Sequence, residues 1–136
     1  MIRFATEDDL NAVRRFDPVA KSILRSKAGA KELILAFSGS EPIGYLRLEY
    51  LWSKIPYIGL IVVKEDLRGH GVGKKILRFL EDYLRAKGHK TLFSSSQANE
   101  PRPQHWHRRM GFVECGIIVG INEGQVGEVF FRKDLA

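Results

Sequence analysis

A nearly continuous apolar run, Tyr57 to Val63, leads into a turn with glycine at positions 69, 71 and 73 and then into an amphipathic stretch. This order limits the possible folds more than any other feature of the chain. An apolar run without polar alternation reads as a central strand covered on both faces. Val72, Ile76, Leu77, Leu80, Tyr83 and Leu84 then recur at helical spacing, with Lys74, Lys75, Arg78, Glu81, Asp82 and Arg85 on the other face. Glu81 and Arg85 stand one turn apart in the favourable order, and Gly88 closes the helix. Glycines let the backbone take left-handed angles and approach a ligand closely. The first amides of a helix have no partner within it, and the helix dipole favours an anion there. Strand, glycine turn and helix together predict a phosphate cradle, to which Arg68, Lys74 and Lys75 add positive charge.

Two familiar phosphate loops fail on this stretch. A Walker loop would need Gly at 68 and Ser or Thr at 75, where the chain has Arg68 and Lys75. The dinucleotide pattern would need Gly at 74 or 76, where it has Lys74 and Ile76.

The flanking sequence supplies the remaining elements. Ile2 to Phe4 reads as a short strand, and Thr6 with Asp9 as a capping box. Leu10, Val13 and Phe16 form one apolar stripe. Asp17-Pro18 reads as a helix start, with Asp17 as cap, Val19, Ile23 and Leu24 as the buried side and Gly29 as the end. Leu33 to Phe37 and Ile43 to Leu51 form an antiparallel hairpin about the Ser38 to Pro42 turn. Thr91 to Ser94 begins another strand, and the polar stretch Ser95 to Pro103 reads as a loop or helix entry. A short helix over Pro103 to Met110 ends at Gly111. Val113 to Ile121 and Val126 to Lys133 close the chain as a hairpin joined by Asn122 to Gln125. The sum is a mixed, mostly antiparallel sheet with helices on its faces, read as a single domain over residues 1–136.

Composition narrows the function classes. With 136 residues and 44% apolar content the chain can bury a core. No apolar run is long enough to span a membrane, and the N-terminus lacks a secretory pattern. A single cysteine, Cys115, excludes an intrachain disulfide. Together these predict a reducing, cytoplasmic setting. Cys115 itself reads as a small buried strand residue. The net charge of +6 implies an affinity for anions, with a solvated basic surface as the plainer reading. No helix concentrates basic, base-reading side chains, which argues against nucleic acid as a partner. His105 and His107 are two apart and point to different sides of a helix. With one cysteine and no third ligand nearby, no metal site is expected. Trp52 and Trp106 read as packing residues.

The segment Arg68-Gly69-His70-Gly71-Val72-Gly73, between a buried strand and a helix, resembles the acyl-CoA loop of the GNAT N-acetyltransferases. Their pattern is Gln/Arg-x-x-Gly-x-Gly/Ala, preceded five residues earlier by a valine that here is Val63. The opening IRFATEDDL resembles the family's first strand and helix. Asn99 to Phe112 resembles its last motif, an Asn, a short helix, then Gly-Phe, and Val113 to Lys133 resembles its closing hairpin. The match is weakest over Val19 to Lys31. The resemblance implies a central mixed, mostly antiparallel sheet of about six to seven strands flanked by about four helices.

It also implies acetyl-CoA as co-substrate and transfer of the acetyl group to a primary amine by direct attack. In the family the pantetheine lies along the strand that here is Ile61, Val62 and Val63, whose amides can polarise the thioester carbonyl. The pyrophosphate sits on amides matching Gly69, His70, Gly71, Val72, Gly73 and Lys74, beside Arg68. Asn99 resembles the Asn that contacts the pantetheine, with a spacing to Gly-Phe about one residue longer than usual. The family's Tyr that protonates the departing thiolate is replaced by His107, four residues before Gly111. An imidazolium can donate a proton and titrates near neutrality; the alternative is a helix-surface histidine without a role. No carboxylate lies in Ile55-Pro56-Tyr57, where some relatives carry a general base. Glu49 on the preceding strand is the nearest acidic candidate, against a plain exposed strand residue, and Tyr57 could order a water. Arg102, Arg108 and Arg109 are candidates for the cofactor's 3′-phosphate, or a solvated basic face. A non-catalytic acyl-CoA-binding module is the alternative function, and a basic nucleic-acid-binding domain the remoter one. The acceptor, the acyl chain preference and the oligomeric state are not written in the sequence.

Overall fold

A computed structural model describes all 136 residues. Seven strands form one sheet in the order β1-β2-β3-β4-β5-β7-β6. They are β1 (Ile2–Phe4), β2 (Leu33–Ser38), β3 (Glu41–Leu51), β4 (Ile55–Val63), β5 (Thr91–Gln97), β6 (Val113–Ile118) and β7 (Glu128–Asp134). Four helices accompany them: α1 (Leu10–Val13), α2 (Lys21–Gly29), α3 (Val72–Ala86) and α4 (Pro101–Arg109). The pair β4–β5 is parallel, while β1–β2, β2–β3, β5–β7 and β6–β7 are antiparallel. The mixed, mostly antiparallel sheet expected from the sequence is therefore present. No helix is long and apolar enough to cross a membrane. The chain divides into two compact units, Met1–Glu49 with Gly59–Tyr83, and Tyr50–Ile58 with Leu84–Ala136.

In the first unit, Ala5, Leu10, Val13, Leu24, Ala28, Leu33, Leu35 and Tyr45 form the core. Full burial of each leucine contributes about 1.5–3 kcal/mol. The Asp9 carboxylate accepts from the Thr6 amide at 2.7 Å, as the capping pattern predicts. Arg3 grips the same carboxylate through two nitrogens, and that bond holds Asp9 down to about 2 against the opposing effect of burial. Phe4 meets Phe79 and Tyr83 edge-on, fixing α3 against β1.

Several sequence expectations are corrected here. Asp17 does not start a helix: α2 begins at Lys21, after Ala20. The Asp17 carboxylate is fully buried and accepts from the Tyr45 hydroxyl at 2.6 Å and from Arg47 at 3.0 Å. A group so engaged satisfies a long-range ion pair instead of a helix end, although it still takes the Val19 amide at 3.2 Å. Ile23 is 49% exposed, and Ala28 takes the buried place beside Leu24. Gly29 is the last helical residue, and the left-handed turn falls on Lys31 at φ 58°. Glu81, read as a polar-face residue, is buried. It lies four residues after Leu77 and so at the margin of the buried stripe.

Strand β4 is not covered on both faces. Only Pro56 and Ile58 are buried, and Gly59 to Val63 stay half-buried. Gly88 does close α3, at φ 87°.

In the second unit, β5 runs on to Gln97 because it pairs with β7 along its whole length, from Thr91↔Asp134 to Gln97↔Glu128. That absorbs the stretch expected to be a loop, and α4 starts at Pro101. Gly111, at φ 93°, turns the chain out of α4. Strand β6 ends the sheet order and stops at Ile118, with all six residues exposed. Cys115 on it is therefore exposed, against the expectation of burial. Trp52 is 84% exposed and packs little, also against expectation. Trp106 does pack, edge-on to His107.

The Asp17 pairing can be tested by stability. Removing one partner of a buried ion pair costs about 3–5 kcal/mol. Arg47→Met should lower the urea midpoint by that scale, whereas Arg25→Met, which breaks the exposed pair with Glu7, should change stability by less than about 1 kcal/mol. Equal effects of the two substitutions would contradict the pairing.

Candidate functional site

The first unit carries the glycine turn. From the end of β4 the chain passes through a short turn at Glu65–Leu67 and enters α3 at Val72. Arg68 Nε donates to the Val63 carbonyl at 3.2 Å, so Arg68 closes the loop back on the strand. Gly69 and Gly71 both have φ of 82°, and a Cβ at either would meet nothing within 4 Å. Glycine is required there by backbone angle and not by space. The Lys75 amide donates to Gly71 O at 3.1 Å, so the amides of Val72 to Lys74 precede the first turn of helical bonding. His70, Lys74 and Lys75 are exposed around them. Bare backbone, first-turn amides, the helix dipole and two lysines suit a pyrophosphate.

Gly44, which the sequence reading passed over, sets the shape beneath the turn. A Cβ there would lie 2.8 Å from Ile76 Cδ1, 3.2 Å from Val72 Cγ1 and 3.4 Å from the Val62 carbonyl. A glycine interrupting a strand pattern was the available signal for such a close approach.

Glu49 is about one-third exposed and sits among cations. Lys27 Nζ lies 2.6 Å from Oε1, and Arg47 Nε 3.2 Å from Oε2. The Arg47 contact is an ion pair without an aligned hydrogen bond. The Glu49 side chain crosses Gly59, whose missing Cβ would lie 2.8 Å from Glu49 Cγ. Lys27 also donates to Glu32 and to the Leu48 carbonyl. Glu49 is thus part of an ion cluster, not a plain exposed strand residue.

The second unit holds Tyr57, Asn99 and His107 in separate surroundings. The Tyr57 hydroxyl lies 2.6 Å from Ser95 Oγ, and Ser95 Oγ donates to Glu128 Oε2 at 2.5 Å. Asn122 Nδ2 donates to the other oxygen, Oε1, at 2.9 Å. Phe130 stacks on the Tyr57 ring with centroids 5.8 Å apart. Ser95, Asn122 and Glu128 carry no sequence signal of their own, since Ser95 opens a polar stretch that reads as a loop or helix entry and residues 122–125 read as a turn.

The His107 ring is buried, 3% exposed, and lies parallel to Phe131 at 4.4 Å. Its Nδ1 is 2.7 Å from the Pro103 carbonyl, and its Nε2 is 2.7 Å from Ser94 Oγ. A carbonyl can only accept, so Nδ1 carries a proton; in the neutral ring Nε2 then accepts from the Ser94 hydroxyl. Burial lowers the His107 pKa, and the bond to Pro103 opposes this only in part. Strand pleating separates this residue from Tyr57. Along β5, Ser94 is buried while Phe93 and Ser95 are half-buried on the opposite face. Tyr57 pairs with Phe93 and shares the Ser95 face, whereas His107 bonds Ser94. Asn99 is exposed in the turn after β5, braced by Gln104 Nε2 bonds to the Gln97 and Ala98 carbonyls. Arg102, Arg108 and Arg109 are exposed, and Arg108 pairs with Glu114.

Comparison with known proteins bears on this arrangement. The acetyltransferase (GNAT) family model matches residues 4–112. Streptothricin acetyltransferase of Streptomyces lavendulae is 27% identical over 103 residues, which cover 74% of this chain. The match spans only 54% of that relative's length. Among solved structures, a ribosomal-protein-alanine N-acetyltransferase from Brucella melitensis superimposes with a TM-score of 0.84 at 19% identity, covering 98% of this chain and 99% of that one. An acetyltransferase from Salmonella typhimurium, solved with acetyl-CoA, gives 0.85 at 17% identity over 100% of this chain and 94% of its own. At these identities the two structures establish a shared fold.

The buried ring of His107 makes stability depend on pH. Its folded pKa lies below the ordinary 6.5, so the unfolded chain takes up a proton that the folded chain resists. The stabilising effect of the neutral ring is complete above pH 6.5 and is lost as pH falls through the lowered folded value. Between pH 6.5 and about 5 the wild-type urea midpoint should fall more steeply than that of His107→Phe. Parallel curves would show that the ring is not held neutral.

Proposed function

Because the chain belongs to the GNAT acetyltransferase family, we propose that it moves an acetyl group from acetyl-CoA to a primary amine by direct attack on the thioester. The glycine turn carries this reading. Two residues at φ 82°, placed between a half-buried strand and the N-terminus of a 15-residue helix, present backbone amides and little else. Gly69 to Lys74 would hold the pyrophosphate. Ile61, Val62 and Val63, half-buried at the end of β4, would take the pantetheine alongside and direct amides at the thioester carbonyl. Asn99, in the second unit, is exposed in the turn after β5, and its contact with a pantetheine arm is implied only by the family resemblance. No convincing nucleophile is needed, since direct attack forms no covalent enzyme intermediate.

The catalytic candidates divide by their surroundings. Glu49 has a cation at each oxygen and serves in this reading as the acidic member of the β3 ion cluster. Tyr57 belongs to a hydrogen-bonded chain that ends on a carboxylate, which suits a group that handles the acceptor's proton. His107 is neutral at pH 7 and faces away from Tyr57. It acts as a positioning residue that fixes α4 against β5 and β7, in place of the thiolate acid expected from the resemblance.

The relatives suggest two acceptor probes, a streptothricin and a peptide with N-terminal alanine, to which free lysine and spermidine are added as general primary amines. The exposed thiol of Cys115 suits a reducing, cytoplasmic setting.

Calorimetric titration with acetyl-CoA tests the cradle. Wild-type protein should bind in the micromolar range. Gly71→Glu should weaken binding at least tenfold, because a carboxylate would face the pyrophosphate. Retained affinity in a folded Gly71→Glu protein would remove the loop assignment. Thiol release with one of the four amines would establish transfer. Tight binding with no release from any of them would favour an acyl-CoA-binding module.

A further inference from the structure

We propose that the free edge of β6 joins a second copy of this chain, the two strands pairing antiparallel about a two-fold axis. Such an assembly does not depend on the acetyl-transfer reading. Strand β6 ends the sheet order, so its N–H and C=O groups on the side away from β7 have no ladder. No loop or turn hydrogen bond reaches the backbone of residues 113–121 either. The other end of the sheet is protected differently. Strand β1 is three residues long and carries Arg3, and short, charged edges resist pairing.

The side chains of β6 are as open as its backbone. Successive strand residues point to opposite faces, and all six residues of β6 are exposed. None of the 136 residues therefore covers either face. Ile117 is 58% exposed and Ile118 44%, and Val119 and Ile121 beyond them are more open still. Five of the eight exposed large hydrophobic residues fall between Val113 and Ile121, a concentration that marks an interaction site.

The occupant follows from what this edge lacks. A bilayer would leave the unpaired backbone groups unsatisfied. An anionic partner, which the net charge of +6 would attract, meets no cation between Val113 and Ile121. The one charged residue there, Glu114, is paired with Arg108. The β7 register shifts between Glu114 and Gly116, and past that shift residues 116–121 read GIIVGI, with no charge and no proline. A neutral seam lets two chains of charge +6 meet without like charges opposed across it. A partner must bring an open backbone edge and apolar side chains for both faces. The β6 strand of a second copy brings both, and a two-fold pairing consumes both edges, so assembly stops at two.

Sedimentation velocity of the full chain over about 1–100 μM tests the seam. Wild-type protein should pass from monomer to dimer and no further. Ile118→Lys places a cation in the seam from each copy and should weaken association at least about 100-fold. Ile23→Lys, at an exposed position on α2, should dimerise like the wild type. Circular dichroism checks that each variant is folded; if Ile118→Lys is not, Val119→Lys, past the end of the strand, is read in its place. Hydrogen exchange supplies a second readout. Amides within residues 116–121 should be protected in concentrated wild-type protein and lose that protection on dilution. A wild-type monomer at the highest concentration, with those amides unprotected, would overturn the proposal and leave the edge to a different occupant. A dimer unaffected by the folded seam variant, or species larger than a dimer, would overturn it as well.

Discussion

A carboxylate with no exposed surface must be paired, because taking an ion out of water costs several kcal/mol even after relaxation. Asp17 meets that requirement with the Tyr45 hydroxyl and Arg47. Both partners lie on β3, so the segment after α1 is held against that strand. The same burial, together with the bond to Asp17, pushes the Tyr45 phenol far up from its ordinary value and keeps it a donor. Arg47 cannot turn away from Asp17, so its Nε stays beside Glu49, whose other oxygen meets Lys27. Gly59 then leaves room for the Glu49 side chain to cross β4. One buried ion therefore orders a row of charges along β3, and the chemistry open to Glu49 is set by Asp17, 32 positions earlier in the chain.

What was legible in the sequence was local. The capping pair Thr6 and Asp9 is contained in four residues, and it forms as read. The turn from Arg68 to Gly73 needs left-handed angles at Gly69 and Gly71, and only glycine takes them readily. The stripe Ile76, Leu77, Leu80 and Leu84 is buried because helical period alone decides it. The failures share the opposite property. Asp17 looked like a helix cap because its real partners are 28 and 30 residues away. Ser95 looked like a loop residue because its environment comes from β4 and β7. A run of serines has no apolar alternation to announce a strand, yet Ser94 and Ser96 are buried in turn. The pleat was present and the usual hydrophobic signal for it was not.

The same pleat explains why a family resemblance carried position further than chemistry. A histidine at 107 stands where relatives place a tyrosine, and position suggested a proton donor. A residue's chemistry depends on what meets its polar atoms. His107 Nδ1 already gives its proton to Pro103 O, and Nε2 already accepts from Ser94. Phe131 covers one ring face and Phe112 meets it edge-on. Those contacts favour the uncharged ring and a fixed orientation, which is what packing α4 onto the sheet requires.

On the other face of β5 the polar groups are arranged in the opposite sense. There the Tyr57 hydroxyl lies 2.6 Å from Ser95 Oγ, which donates to the Glu128 carboxylate at 2.5 Å. The division follows from residue parity on β5: even-numbered side chains at 94 and 96 face the core and support the fold, and odd-numbered side chains at 93 and 95 share a face with Tyr57. A one-residue slip in the β5–β7 register would exchange the two roles. The continuous pairing from Thr91↔Asp134 to Gln97↔Glu128 prevents that slip. The length of β5, which the sequence obscured, is thus the constraint that keeps the face shared by Tyr57 and Ser95 apart from the packing face.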